Sequence, residues 1–424
     1  AVAVDIESVV RVNFNSTTDG VSADRTMSSL EGLSTDTDGP IKLVSQAGSL
    51  TIGSGGPGVS VGGAGDVLLE AAQDIFANAA VVSDRGNITL DAGNDLAVNA
   101  AVMTGGSGTL YLTSMNDVTV ADSVVTSSGD ILVDAGTNLT QAAAITSTSG
   151  DVGLIAGGTL TQTTNGDIDT DGDVLLEAGS DWTMAGDAVV SATGNVVGRA
   201  LGGDIGLGVI SGANVALAAS DSILDANAGL LNVTADNLSL RADSGLIGGS
   251  DTGNINADAN SNAIDITVST LAVSSDSGIY LSETDDVTVT TVDAVAVDIE
   301  SVVRVNFNST TTDVSADQAI ASLEDLSTTT DGPVKLVSES GSITVEGGSD
   351  DQGVSAAGSG DVLLEAAQDV FANAAVVSGT GNITLDAGND LAVNASVATG
   401  GTGTLYLASG NNATVASQLS NASG

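Results

Sequence analysis

From Val67 onward, apolar residues fall at alternate positions in short runs, and the runs return every 21 or 22 residues. Val67, Ile88, Leu110, Ile131, Val152, Val174 and Val196 share one position. Leu69, Leu90, Leu112, Val133, Leu154 and Leu176 lie two residues on, and Ala71, Ala92, Ser114, Ala135, Ala156 and Ala178 two beyond that. A period of two marks one face of a strand. A second alternating run passes through Ile75, Leu96, Val118, Leu139, Leu160 and Trp182, and a third through Val81, Val102, Val124 and Ile145. Turn-forming Gly, Asp, Asn and Ser separate the three.

Three short strands and three turns in about 21 residues make one coil of a β-solenoid. The pattern predicts an all-β chain, a right-handed parallel β-helix whose coils stack about 4.8 Å apart. One coil buries roughly five or six aliphatic side chains at about 1.5–3 kcal/mol each, which does not offset the ordering of its residues at about 1–2 kcal/mol apiece. Stability must therefore come from stacking many coils. An array of Ig-like sandwiches would need repeats near 100 residues and large core anchors, and the sequence has neither.

A longer repeat encloses the short one. AVAVDIESVVRVNFNSTT at 1–18 recurs at 294–311, and GNITLDAGNDLAVNA at 86–100 returns verbatim at 381–395 after a two-residue insertion near 350. The chain thus divides into a first unit, 1–293, and the start of a second, 294–424, continuous with it. Regular coils are expected over about 39–212 and looser coils with longer loops over 213–293. The opening AVAVDIE, without Met or a signal peptide, suggests a processed fragment or a window of a longer tandem array. One segment departs from strand periodicity: SADRTMSSLEGLS, with Met27, Leu30 and Leu33 at helical spacing, recurs as SADQAIASLEDLS with Ile320, Leu323 and Leu326. It reads either as a short helical excursion capped by Ser22 or Asp24, or as a loop covering the core.

Composition narrows the function. Aromatic residues number eight (one Trp, three Tyr, four Phe), which suits a narrow interior rather than an ordinary globular core. A formal charge of −46 opposes binding to nucleic acid or an anionic membrane, and no apolar run is long enough for a membrane helix. The absence of Cys rules out disulfides and favours export. With no His and no Cys, the commonest general base and the thiolate nucleophile are missing, and no catalytic motif appears, so the chain reads as a non-enzyme. Carboxylate pairs alone can cleave glycosidic bonds, which leaves a polysaccharide hydrolase as a remote alternative.

Acidic residues form columns. Asp74, Asp95, Asp117, Asn138 and Asp181 recur at one turn, and Glu70, Asp91, Asp134 and Glu177 at one outward strand position. Carboxylates stacked about 4.8 Å apart repel by roughly 1 kcal/mol per pair in water. Calcium would relieve that repulsion, so Asp74, Asp95, Asp117 and Asp181 are its candidate ligands, although neither a GGxGxDxUx repeat nor an EF-hand loop is present. The alternative is that these side chains shape the turns and keep the surface soluble.

The rung GNITLDAGNDLAVNA resembles the repeats of filamentous-haemagglutinin-like exoproteins and related giant bacterial surface adhesins, over about 39–212 and 334–424. That resemblance implies a right-handed β-helix, secretion to the cell surface or beyond, and a role in adhesion or extracellular matrix. The expected function is a structural repeat of a long extracellular or cell-surface bacterial fibre, acting in adhesion, biofilm matrix or filament assembly by end-to-end or lateral self-association. A glycan- or host-surface-binding adhesin stalk is the runner-up.

Overall fold

The computed structural model describes residues 9–12, 18–21, 32–250, 255, 260–308 and 310–422. Apart from two antiparallel strand pairs, Val9–Val12 with Thr18–Val21 and Val295–Val305 with Thr311–Ile320, they form a right-handed parallel β-helix, with no α-helix among them. Each regular coil has a long side of five residues, such as Ile88–Ala92, then two three-residue sides, such as Leu96–Val98 and Val102–Thr104. Each strand of these regular coils pairs in parallel and in register with the same side of the neighbouring coils, so Ile88 lies between Val67 and Leu110, and Leu96 between Ile75 and Val118. The predicted columns are the buried core: Val67, Leu69, Ile88, Leu90, Leu110 and Leu112 are all at 0% exposure.

The corners explain the recurring glycine. A Cβ on Gly129 would lie 1.9 Å from the carbonyl oxygen of Gly108, and one on Gly150 would lie 2.3 Å from that of Gly129. Adjacent corners approach too closely for any side chain. Buried hydroxyls tie third-side strands to the corner one coil back: Thr104 donates to the Gly86 carbonyl at 2.6 Å, and Ser147 to that of Gly129 at 3.0 Å. The second side also holds a polar ladder, in which Trp182 Nε1 donates to Gln162 Oε1 (2.9 Å) and Gln162 Nε2 to Gln141 Oε1 (3.0 Å). Trp182 fits inside because Gly198 faces it; a Cβ there would sit 2.4 Å from the ring.

Over 213–293 the coils persist with longer strands, Val233–Ala242 and Ile264–Ser275, that run from the third side into the long side. Here the stacking turns. The second-side column Ile223, Ile247, Ile279 continues into Val334, which opens a long side of the second copy. The long-side column Val215, Leu238, Leu271 continues into Val289 and Val345, which are second-side positions. The third-side column Val233, Ile266 continues through Glu283 into Ser338 at the end of that same long side, so each side of the second copy is displaced by nearly half a turn round the axis. From Ile41 to Val334 the ladder climbs nearly eleven and a half coils, or roughly 55 Å at about 4.8 Å per coil.

A feature absent from the sequence expectation joins the two copies. Residues Val295–Val305 and Thr311–Ile320 form an antiparallel hairpin inserted between the second-side strand Val287–Val289 and the third-side strand Leu326–Thr328. It folds back over the outer long side of the first copy. Val295, Val297, Ile299, Val302, Ala316 and Ile320 bury themselves against Tyr111, Leu132, Leu175, Val197 and Ala216. Those five are outward-pointing strand residues that would otherwise face water. The helical and loop readings of SADQAIASLEDLS are therefore both corrected: 315–320 is strand, because Ala316 and Ile320 have an apolar surface to cover. Of its first-copy counterpart, Met27 and Leu30 lie outside the described residues, while Leu33 opens the strand Leu33–Thr35.

Candidate functional site

The predicted acidic turn column is present, and its carboxylates are occupied. Asp74 accepts from Asn94 Nδ2 (2.6 Å), Ser49 Oγ (3.0 Å) and the Asp95 amide (3.3 Å). Asp95 accepts from the Asp117 amide at 3.2 Å, and Asp117 from the amide and side chain of Asn138, both at 3.0 Å. Asp181 accepts from the Asp204 amide at 3.0 Å. Each side chain satisfies a backbone N–H of the next coil, one to a coil, like the rungs of a ladder. The Asn94 hydrogen bond, with that of Ser49, holds the Asp74 carboxyl below its ordinary pKa. Four calcium candidates are thus brought into one line and not around one point. Among the described residues no three His, Cys, Asp or Glu side chains converge as a metal set.

The outward strand column meets the hairpin. Asp91 pairs with Arg304 at 2.5 Å, and Glu177 with Arg199 at 3.3 Å, while Arg199 also reaches Gln318 of the hairpin. Burial raises the pKa of Asp134, which lies in the same column. Two backbone amides complete the seat: Val303 N donates to Thr109 Oγ1 and Val305 N to Thr89 Oγ1, both at 2.9 Å. Lys42 Nζ donates to the Asn306 carbonyl at 2.7 Å beside the hairpin tip.

Next to that tip a groove of about 580 Å³ crosses successive coils. Gln46, Glu70, Asp91, Met115, Arg304 and Phe307 line it. Phe307 is 65% exposed and Met115 75%, in a chain with few large apolar residues on its surface. Sequence reasoning found Glu70 and Asp91 but not the groove, since Arg304 and Phe307 come from a segment more than two hundred residues away.

A second missed residue is Glu283. It is fully buried, on the inner register after Ile279 and Leu281, and its carboxyl accepts from the amides of Thr284 (2.9 Å), Val268 (3.2 Å) and Asp285 (3.3 Å). Burial pushes its pKa up to about 8, and that of the neighbouring Asp265 up to about 6. The alternation Ile279, Leu281, Glu283 already placed it inside. With no exposure it meets no substrate, so its consequence is for stability.

Against known proteins the chain stands apart: no protein-family model, no curated protein and no solved structure matches it.

Proposed function

We propose that this chain is a structural repeat region of a long extracellular or cell-surface bacterial fibre, acting in adhesion, biofilm matrix or filament assembly through self-association, without catalysis. The observation that carries the reading is continuity. One parallel ladder runs from the coils of the first copy into those of the second with no cap between them, and the second copy's hairpin clamps the first. A rod extended by repetition has stiffness and length as its main properties. The acidic turn column is engaged by backbone amides of the next coil, as a solubilising and shaping surface requires. Electron micrographs of native material test the reading: continuous filaments with an axial period near 55 Å support it, and soluble, discrete monomers that cleave a polysaccharide refute it.

The groove beside Phe307 favours a second reading, a stalk that binds glycans. An exposed aromatic face next to carboxylate, amide and guanidinium groups is suited to a sugar's apolar face and hydroxyls. Glycan-array binding that is lost in Phe307→Ala, with the fold intact, would support it. Equal binding by wild type and variant would remove it.

A further inference from the structure

The screw turns at one strand. Ile264–Ser275 stacks on a single strand below it, Val233–Ala242, but three separate strands stack on it from above. Ile264–Ile266 lies under Leu281–Glu283, Thr270–Leu271 under Thr288–Val289, and Val273–Ser275 under Leu326–Thr328. The first of the three, Gly278–Glu283, also covers Leu246 and Ile247 of the second side, and Val334–Ser338 then covers it as the long side of the second copy. Second and third sides thus merge into the new long side, while the old long side is divided between two short ones.

Such a fork leaves a gap over Thr267–Ser269, where no strand pairs from above. In the regular coils an inward residue's amide donates to a carbonyl of the next coil, as Val67 N does to Asn87 O at 2.8 Å and Ile75 N to Asp95 O at 2.9 Å. Val268 is inward and 3% exposed, and its amide donates to a side chain instead, Glu283 Oε2 at 3.2 Å. The same carboxyl accepts from the Thr284 and Asp285 amides where the chain turns away from the gap. A glutamate is out of keeping with its column. Ser338, Ala366 and Ala387 stack above it, and Ala71, Ala92, Ser114 and Ala135 end long sides of the first copy. An alanine at 283 would suit that column and leave the Val268 amide buried without an acceptor.

We infer that the Glu283 carboxyl is the positioning group of the half turn: it stands in for the strand missing above Val268, fixes the fork at Ile264–Ser275, and so sets the long side of the second copy on the opposite face of the rod from that of the first. The role of Glu283 stands on this chain alone. Its consequence rests on the fibre reading and deepens it: along an array the hairpins, each seated on a long side, alternate between two opposite faces.

Because the chain has no cysteine, spin labels at Arg241→Cys and Glu365→Cys read the facing directly. Both are exposed, outward residues, one on a long side before the fork and one on a long side after it. They stand about three and a half coils apart, roughly 17 Å along the axis, and opposite faces add roughly 25 Å across the core and the two labels. Wild type and Glu283→Gln, whose amide oxygen still accepts, are expected to give one narrow distance near about 30 Å by double electron–electron resonance. Glu283→Leu fills the same space and removes a buried carboxyl, so burial alone predicts a more stable coil. The positioning role predicts the reverse: a distribution broadened or shifted toward about 17 Å, with amide exchange over 264–289 about tenfold faster. If Glu283→Leu does not fold, Glu283→Asp, one carbon too short to reach Val268, makes the same comparison. A narrow peak near about 30 Å in Glu283→Leu, its loss in Glu283→Gln, or a wild-type peak near about 17 Å overturns the inference. Native filaments with every hairpin on one face would overturn it too, and leave the fibre reading standing. Absence of filaments, with the contrast between Gln and Leu intact, would remove the fibre reading and leave the role of Glu283.

Discussion

Gly153 offers a way to unseat the hairpin without touching the core beneath it. It stands at an outward position of the long-side strand Val152–Ala156, between Leu132 and Leu175 in the ladder. A Cβ added there would lie 2.7 Å from Ile299 Cδ1 and 2.9 Å from Leu132 Cδ1. The glycine is therefore the hole into which Ile299, at 0% exposure, inserts from the hairpin. Gly153→Val fills that hole. Valine suits a strand better than glycine does, so the coil itself is expected to gain slightly. Returning Ile299 to water forfeits about 2–3 kcal/mol of burial. That loss falls on the hairpin alone, and lowers its opening free energy by the same amount, equivalent to roughly 30–150-fold faster amide exchange. Hydrogen–deuterium exchange read by mass spectrometry, peptide by peptide, measures it. Acceleration confined to 295–320, with 131–178 unchanged or slower, is the expected outcome. Unchanged exchange in 295–320, or equal acceleration in the coils beneath, would refute the knob-in-hole account of the hairpin seat.

Three further outcomes follow from the interior and the turns. Glu283 holds its proton in the fold up to about pH 8 but loses it near 4.5 when unfolded, so its penalty is absent below pH 4.5, grows as pH rises, and levels off above 8. Glu283→Gln should stabilise the 264–289 coil by about 4–5 kcal/mol above pH 8 and by little at pH 4, read as exchange protection; a gain that does not depend on pH would contradict the buried-acid assignment. Gly198→Ala forces a methyl against the Trp182 ring and should cost about 1–3 kcal/mol while shifting the emission of this sole tryptophan, and an unchanged spectrum and melting point would contradict the packing described. If Asp74, Asp95, Asp117 and Asp181 act only as turn acceptors, a chelator should leave the melting temperature unchanged, whereas a fall of several degrees would restore calcium as their ligand.

What the sequence made legible was whatever recurs with the coil. The inward columns through Val67, Leu69 and Ile75 have no way to be satisfied except by stacking, so their period predicts the ladder directly. The hairpin lacked that clarity. AVAVDIESVV alternates like any strand, and nothing local says that its partner is a second strand ten residues on, or that its apolar face covers another part of the chain. Even so, Leu68, Leu132, Leu175 and Val197 break the inside–outside alternation with an apolar residue at an outward position, and such residues call for a cover. The half turn at the copy boundary escaped for a related reason. Long strands such as Val233–Ala242 merge two sides of the coil, and a pattern of alternation cannot say at which corner the chain bends. The acidic columns were located correctly, but their chemistry depended on the backbone amides that the stacking supplies.

The central claim is that both copies belong to one continuous screw. Spin labels at Asn99→Cys and Asn394→Cys test it most directly, because both positions are exposed turn residues at matching places in the two copies and the chain has no other thiol. Double electron–electron resonance should give one narrow distance distribution near 55–60 Å, from nearly eleven and a half coils at about 4.8 Å with an offset of nearly half a turn. A broad distribution, or a peak well below about 45 Å, would mean two separately folded units and would contradict the rod.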